Sequence, residues 1–261
     1  MLGKLLKNDL KKNMRWMWIL FVVTILFAGI TRGCKELGTN LAFFKILGIF
    51  FESVFYALAA NCIVQPFIRG FFNFTKSLYG DESYLTHTLP VSKNQIINSK
   101  FLTTLIELVL GFLTLIGSLL IMFASKTMFP TLKLFLSMII VGEFSLFWVL
   151  TLFVILVVVE FLMFISIIYF SITLAYKSKE KRVLKTFLYT SAFALASLTV
   201  LSLAMITILL INGVNLSSTM LSLSFNTFLS IIITGIIVYS CVILLFYFLT
   251  KKQLNKGVNV D

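Results

Sequence analysis

The chain has 261 residues, 59% of them hydrophobic, with only 12% charged and a formal net charge of +12. Soluble domains carry about a quarter charged residues, so a water-soluble globular fold is excluded. The surplus of lysine and arginine gathers at the ends of apolar runs, where it acts as an orientation signal. It does not line a stripe interleaved with aromatic platforms, so nucleic acid is not the expected partner.

Residues 2–14, LGKLLKNDLKKNM, place Leu2, Leu5, Leu6, Leu10 and Met14 at helical spacing, with Lys4, Lys7, Lys11 and Lys12 on the remainder. This pattern predicts a basic amphipathic helix lying on an anionic membrane surface. Trp16 and Trp18 follow at the expected headgroup level. The apolar run from Trp16 onward lacks a clean small-residue cleavage site, and is expected to be retained as a first span.

Apolar stretches long enough to cross a bilayer are expected over 15–33, 43–68, 101–125, 146–176, 187–211 and 227–249. The expected fold is therefore all-α: a polytopic membrane protein with six transmembrane helices and an N-terminal amphipathic interfacial helix. One permease-like domain spans 1–261. Region 132–176 is too long for one span, yet has no turn signal in its middle. Six spans put both termini and the loops 69–100 and 177–186 on one side, with most of the basic residues. A seventh span would expel KKQLNK from that side and weaken the asymmetry. Residues 132–145 are then an outer re-entrant or interfacial segment.

The chemistry of an enzyme is missing from the sequence. The single histidine, His87, lies in a polar loop; no metal-ligand spacing, nucleophile elbow or Walker A pattern occurs. The cysteines Cys34, Cys62 and Cys241 are far apart in the chain, and neither a disulfide nor a zinc site is expected. Ala192, Ala196 and Ala204, with Ser197 beside them, permit close helix packing within the molecule.

Three carboxylates, Glu52, Glu107 and Glu160, fall inside the expected spans. An ionisable group in hydrocarbon faces a protein interior or wet cavity. The three could line a translocation path or relay protons, or could equally fix interhelical packing. Apart from Lys45, near the outer end, no basic residue is expected at their depth, which favours neutral carboxyls.

The segment YLTHTLPVSKNQIINSK, Tyr84 to Lys100, interrupts the apolar pattern. Asp81 can cap a short helix that Pro90 ends, since the residue before proline is pushed toward extended geometry. Ser92 with Gln95 three residues later makes a capping-box pattern for a second helix running straight into the third span. The product is a helix–turn–helix elbow over 76–100 that presents Tyr84, Leu85, Leu89 and Val91 to the aqueous side. Such a loop could also dip into the headgroups.

This elbow, preceded by YGDES, resembles the segment found in permease subunits of the type-2 class of ATP-binding-cassette (ABC) transporters, chiefly through the core Leu85 to Ser92. The resemblance implies a coupling helix seated in a cleft of a separate cytosolic ATPase, with Leu85, Thr86, Leu89, Pro90 and Val91 as docking residues. It also implies that ATP and magnesium sit on that partner and no cofactor on this chain. A second permease copy or a related permease would complete the dimer in a bacterial cytoplasmic membrane, with both termini cytoplasmic. A proton-coupled secondary transporter using Glu107 and Glu160, and a non-transporting membrane scaffold or regulator, are the alternative expectations.

Overall fold

A computed structural model describes residues 2–38, 41–80, 83, 92–123, 128–141, 145–178, 180–213 and 223–255. It contains α1 (Leu2–Leu37), α2 (Ala42–Tyr79), α3 (Lys93–Phe123), α4 (Met128–Ile139), β1 (Ile140–Val141), α5 (Leu146–Ala175), α6 (Arg182–Ile211), β2 (Leu223–Ser224) and α7 (Phe225–Asn255). Among the described residues, six helices are long and apolar enough to cross a membrane. The all-α polytopic expectation holds. At 1.5 Å per residue these helices run roughly 45 to 57 Å, well beyond an apolar layer of about 30 Å. Length beyond the apolar layer leaves room for the polar starts of α1, α3 and α6 and the polar ends of α2 and α7 outside it.

The segment 2–14 is helical, but it does not form a separate element: α1 is continuous over 36 residues. Its apolar face is turned onto protein. Leu10, Met14, Met17 and Phe21 pack with Cys62 of α2 and Leu110 of α3. A helix that must satisfy its own backbone hydrogen bonds has no reason to break where no proline or glycine interrupts it. Contacts with α2 and α3 replace the lipid surface that amphipathicity alone would call for.

The chain divides into two compact units, Met1–Met128 and Phe129–Asp261. In the first, α1, α2 and α3 pack pairwise with one another. The starts of α1 and α3 meet near the end of α2, so the helices run up, down and up. Their contacts centre on Met17, Phe21 and Cys62 at one level and on Ala28, Phe55, Ala59 and Met122 at another. Pro66 is buried inside α2, and its missing N–H leaves the Cys62 carbonyl without its intrahelical donor. That same carbonyl oxygen faces Gly111 of α3, where an added Cβ would lie only 2.4 Å away.

In the second unit α5 packs against both α6 and α7. Phe170, Phe193 and Phe246, one from each helix, meet with all three centroid separations at 5.4 Å. Tilted aromatic contacts of this kind add to the burial of their area. The turn from α5 to α6 is held by the Arg182 guanidinium stacked over the Tyr176 ring at 5.2 Å. Lys185 Nζ also donates to Ser178 Oγ at 2.8 Å. The segment expected to be re-entrant or interfacial holds part of the 12-residue helix α4, too short to span, followed by β1. β1 pairs in parallel with β2, Ile140 opposite Leu223 and Val141 opposite Ser224. Because these strands precede α5 and α7, both helices start at the same end of the unit. Ala192 and Ala196 differ from their expected packing role: both are exposed on α6, and of Ala192, Ala196, Ser197 and Ala204 only Ser197 is buried.

Gly111→Ala is expected to force α2 and α3 apart, with an overpacking cost of about 1–3 kcal/mol. Gly117→Ala, where an added Cβ meets nothing within 4 Å, serves as the comparison. Thermal unfolding of the detergent-purified protein should show a lower midpoint for the first variant and an unchanged one for the second.

Candidate functional site

The candidate site is built at the start of α3, the part of the expected elbow that lies among the described residues. Ser92 and Gln95 form the reciprocal capping box: Ser92 N donates to Gln95 Oε1 and Gln95 N donates to Ser92 Oγ, each at 3.4 Å. Two otherwise orphaned donors are thereby satisfied. From Lys93 the helix continues unbroken to Phe123, so the base of the elbow and the third span are one rigid rod. At the other side of the loop α2 ends at Tyr79, with Gly80 N donating to Thr75 O at 3.1 Å and Ser83 N to Gly80 O at 2.8 Å. Leu85, Thr86, Leu89, Pro90 and Val91, the expected docking residues, lie outside the described residues. So do the expected cap Asp81, and Tyr84 and His87.

Two turns into α3, Lys100 is turned into the bundle. Its Nζ donates to Asp9 Oδ1 of α1 at 2.7 Å and to Asn73 Oδ1 of α2 at 3.1 Å. Ser99 Oγ donates to the second oxygen, Asp9 Oδ2, at 3.1 Å. The two charged side chains are only 8% and 11% exposed. One turn further along α1, the backbone carbonyl of Asn13 accepts from Arg69 Nη1 of α2 at 2.6 Å. Charge-assisted bonds in a low-dielectric setting are short and directional. These fix α1, α2 and α3 to one another near the start of α3.

Glu107 lies seven residues beyond Lys100, on the same helix and wholly buried. The Asn13 side chain lies beside it, and the charges of Arg69 and Asp9 are close enough to act on it. Neither carboxyl oxygen has a hydrogen bond of acceptable geometry. Thr103 and Thr104, on the turn before it, direct their hydroxyls to the backbone carbonyls of Ser99 and Lys100 instead. A buried polar group left in this condition is costly, and Asn94 Oδ1, near the start of the same helix, is likewise buried without a hydrogen-bond partner.

The other two carboxylates are elsewhere. Glu52 of α2 forms an ion pair with Lys35 of α1 at 2.8 Å and accepts from Tyr56 Oη at 3.0 Å. It therefore does not have the unpaired environment expected from its position in the span. The α1 helix extends to Leu37, four residues past the expected boundary, and this brings Lys35 within reach. Lys35 also stands over the Phe123 ring, 5.5 Å from its centroid, while Arg32 Nη1 donates to the Ile121 carbonyl at 3.3 Å. These bonds close the end of the three-helix unit remote from the elbow. Glu160 belongs to the second unit, on α5, beside the buried hydroxyl of Tyr239 on α7.

Asp9, Asn13 and Asn73 were not singled out by the sequence pattern. Asp9 was hidden in a lysine-rich stretch. Its signal is positional: Asp9, Asn13, Met17 and Phe21 recur every four residues and form a single buried stripe.

No protein-family model, curated protein or solved structure matches the chain.

Breaking a buried ion pair from one side strands the remaining charge, at a cost of about 3–5 kcal/mol. Asp9→Leu and Lys100→Met are each expected to lower the thermal midpoint of the purified protein markedly. The double variant Asp9→Leu/Lys100→Met should recover much of the loss, since apolar replacement of both partners removes the stranded charge. A double variant as unstable as the sum of the singles would show that the two residues do not act as a unit.

Proposed function

We propose that the chain is the membrane subunit of an ATP-driven exporter of the type-2 ABC class, working as a permease dimer with a separate cytosolic ATPase. The observation that carries this reading is the segment Leu85 to Ser92, LTHTLPVS, through its resemblance to the coupling helix of such permeases. Six apolar helices are compatible with it. Further support comes from the capped, uninterrupted helix that leads from Lys93 to Phe123. A push on the elbow would reach α3 without a hinge, and through Asp9, Asn73 and Lys100 it would reach α1 and α2 as well.

In this reading the elbow faces the cytosol of a bacterial cell, both termini are cytoplasmic, and a few apolar anchors dominate the contact with the ATPase. Closure of two ATPase subunits on ATP and magnesium would tilt the rods and switch the access of a path between the permeases by rigid-body motion. A wall rich in Phe, Leu and Ile with few fixed charges suits an amphipathic or hydrophobic cargo, such as a peptide antibiotic, a lipid or a drug.

One observation favours a second reading. Glu107 is buried with neither oxygen in a well-formed hydrogen bond, an environment in which a carboxyl can take up and release a proton as part of its work. A proton-coupled transporter would depend on Glu107 and keep working without ATP.

The discriminating experiment is a mild-detergent pull-down of the tagged full-length chain from native membranes, compared with Leu89→Asp. A Walker A protein with ATPase activity should be retained by the wild type and lost from the variant. If the wild-type protein elutes folded without any ATPase, the motor reading is wrong, and transport that collapses with the proton gradient becomes the expected behaviour.

A further inference from the structure

Glu107 is wholly buried, and neither of its carboxyl oxygens has a hydrogen bond. A carboxylate without a bonded partner is too costly to keep in a dry interior, whereas the neutral acid is tolerated. The helix opposite explains why no partner is supplied. Lys100 meets Asn73 of α2, and Gly111 meets the Cys62 carbonyl; both intervals are 11 residues. One antiparallel register therefore holds between α2 and α3, and it sets Glu107 level with Pro66, whose ring offers no polar side-chain atom. Arg69 stands at a level closer to the start of α3. Long side chains on a helix lean toward its N-terminus, so the Glu107 carboxyl is carried back toward Arg69.

The present bonds of Arg69 can be given up at little cost. Its Nη1 donates to the Asn13 carbonyl at 2.6 Å, and its Nε reaches Gln65 Oε1 at 3.5 Å. A guanidinium has five N–H donors, so these two bonds do not exhaust it. Asn13 lies well inside α1, where its carbonyl already accepts the helical N–H. Withdrawing Arg69 leaves that acceptor satisfied. The Asn13 side chain stands beside Glu107, and the Arg69 charge acts on the same carboxyl. Both acceptors for the guanidinium thus lie around one residue of α1. The other charges at this level among the described residues, Asp9 on α1 and Lys100 on α3, are bonded to each other at 2.7 Å. The Cys62 thiol of α2 lies 3.3 Å from the Thr24 hydroxyl.

We propose that Arg69 and Glu107 form a proton-operated switch of helix contacts. With the carboxyl protonated, Arg69 bonds the Asn13 carbonyl and ties α2 to α1, the arrangement present here. When the carboxyl gives its proton to water, the guanidinium turns to the carboxylate oxygens and ties α2 to α3 instead. Arg69 is half-buried, and the proton leaves on the side from which the guanidinium arrives. A charge-assisted, two-pronged bond to a carboxylate outweighs a bond to a neutral carbonyl. The new pair cancels both charges, as Asp9 and Lys100 already cancel one another. This goes beyond the choice between ATP and a proton gradient as driving force: it concerns what ionisation does to the packing of α1, α2 and α3.

Infrared spectroscopy and spin-label distances on the full-length protein in lipid nanodiscs test the switch with no ATPase present. Raising the pH should remove a neutral-carboxyl band that E107Q lacks from the start. Spin labels are placed in pairs at the exposed positions Lys11 of α1, Phe72 of α2 and Leu102 of α3. Over the pH range in which the band is lost, the distance from Lys11 to Phe72 should lengthen and that from Phe72 to Leu102 should shorten. E107Q and R69Q should show neither change, and R69Q should keep the band at pH values where the wild type has lost it. Wild-type distances that stay fixed while the band disappears overturn the proposal. An R69Q titration identical to that of the wild type overturns it too, since Arg69 would then have no part in the ionisation. So does a wild type that shows no such band at any pH, or the same band undiminished in E107Q, because Glu107 would not be the neutral acid.

Discussion

The bond between Lys100 and Asp9 governs the first unit because neither charge could be where it is without the other. Moving an isolated ammonium or carboxylate out of water costs far more than any single packing contact returns. Once both are committed to the interior, the partner, its position and its angle of approach are all prescribed. Asn73 and Ser99 take up remaining hydrogen-bonding capacity on the two groups. Apolar side chains at these positions could hold three helices together equally well, but they would tolerate sliding and rotation. A paired charge with directional partners on three helices allows one register.

That single register has consequences along the length of each helix. With α1 and α3 pinned at Asp9 and Lys100, α2 approaches α3 at Cys62 and Gly111 too closely to admit a Cβ. The remote end is closed by weaker, more exposed pairs around Lys35 and Glu52. Exposed ion pairs contribute modestly and are screened by salt, whereas the buried one is not. The unit is thus stiffest around the start of α3 and more easily adjusted at the far end.

Hydropathy made the six helices legible, since nothing but a long apolar run satisfies the backbone within a bilayer. The capping box at Ser92 and Gln95 was legible too, as local chemistry with a fixed spacing. What hydropathy could not convey was where a helix ends beyond the apolar layer. Setting the end of the first span at 33 left Lys35 in a loop and Glu52 without a partner, and four more residues of helix bring them together. Setting its beginning at 15 severed Asp9 from the bundle and assigned its stripe to lipid. Both differences have one origin: polar helix ends project past the membrane and continue to pack on each other. Lys100 illustrates the point most directly, counting as an orientation signal in the sequence and as a buried counter-ion in the fold.

The same projection explains how α1 can face two environments at one level. Around residues 8 to 18 its inner side presents Asp9, Asn13, Met14 and Met17 to protein, and its outer side presents Lys11, Lys12, Arg15 and two indoles. A helix resting flat on a membrane has one polar and one apolar side, and its charges all face water. Here charge occurs on both sides for different reasons, as a bonded acid inward and as exposed basic side chains outward. Net basicity therefore understates the division: the acid is spent on holding the bundle, and so cannot offset the lysines and the arginine outside. Tying the bundle with Asp9 leaves the outer surface of α1 more strongly cationic than the sequence of that segment implies.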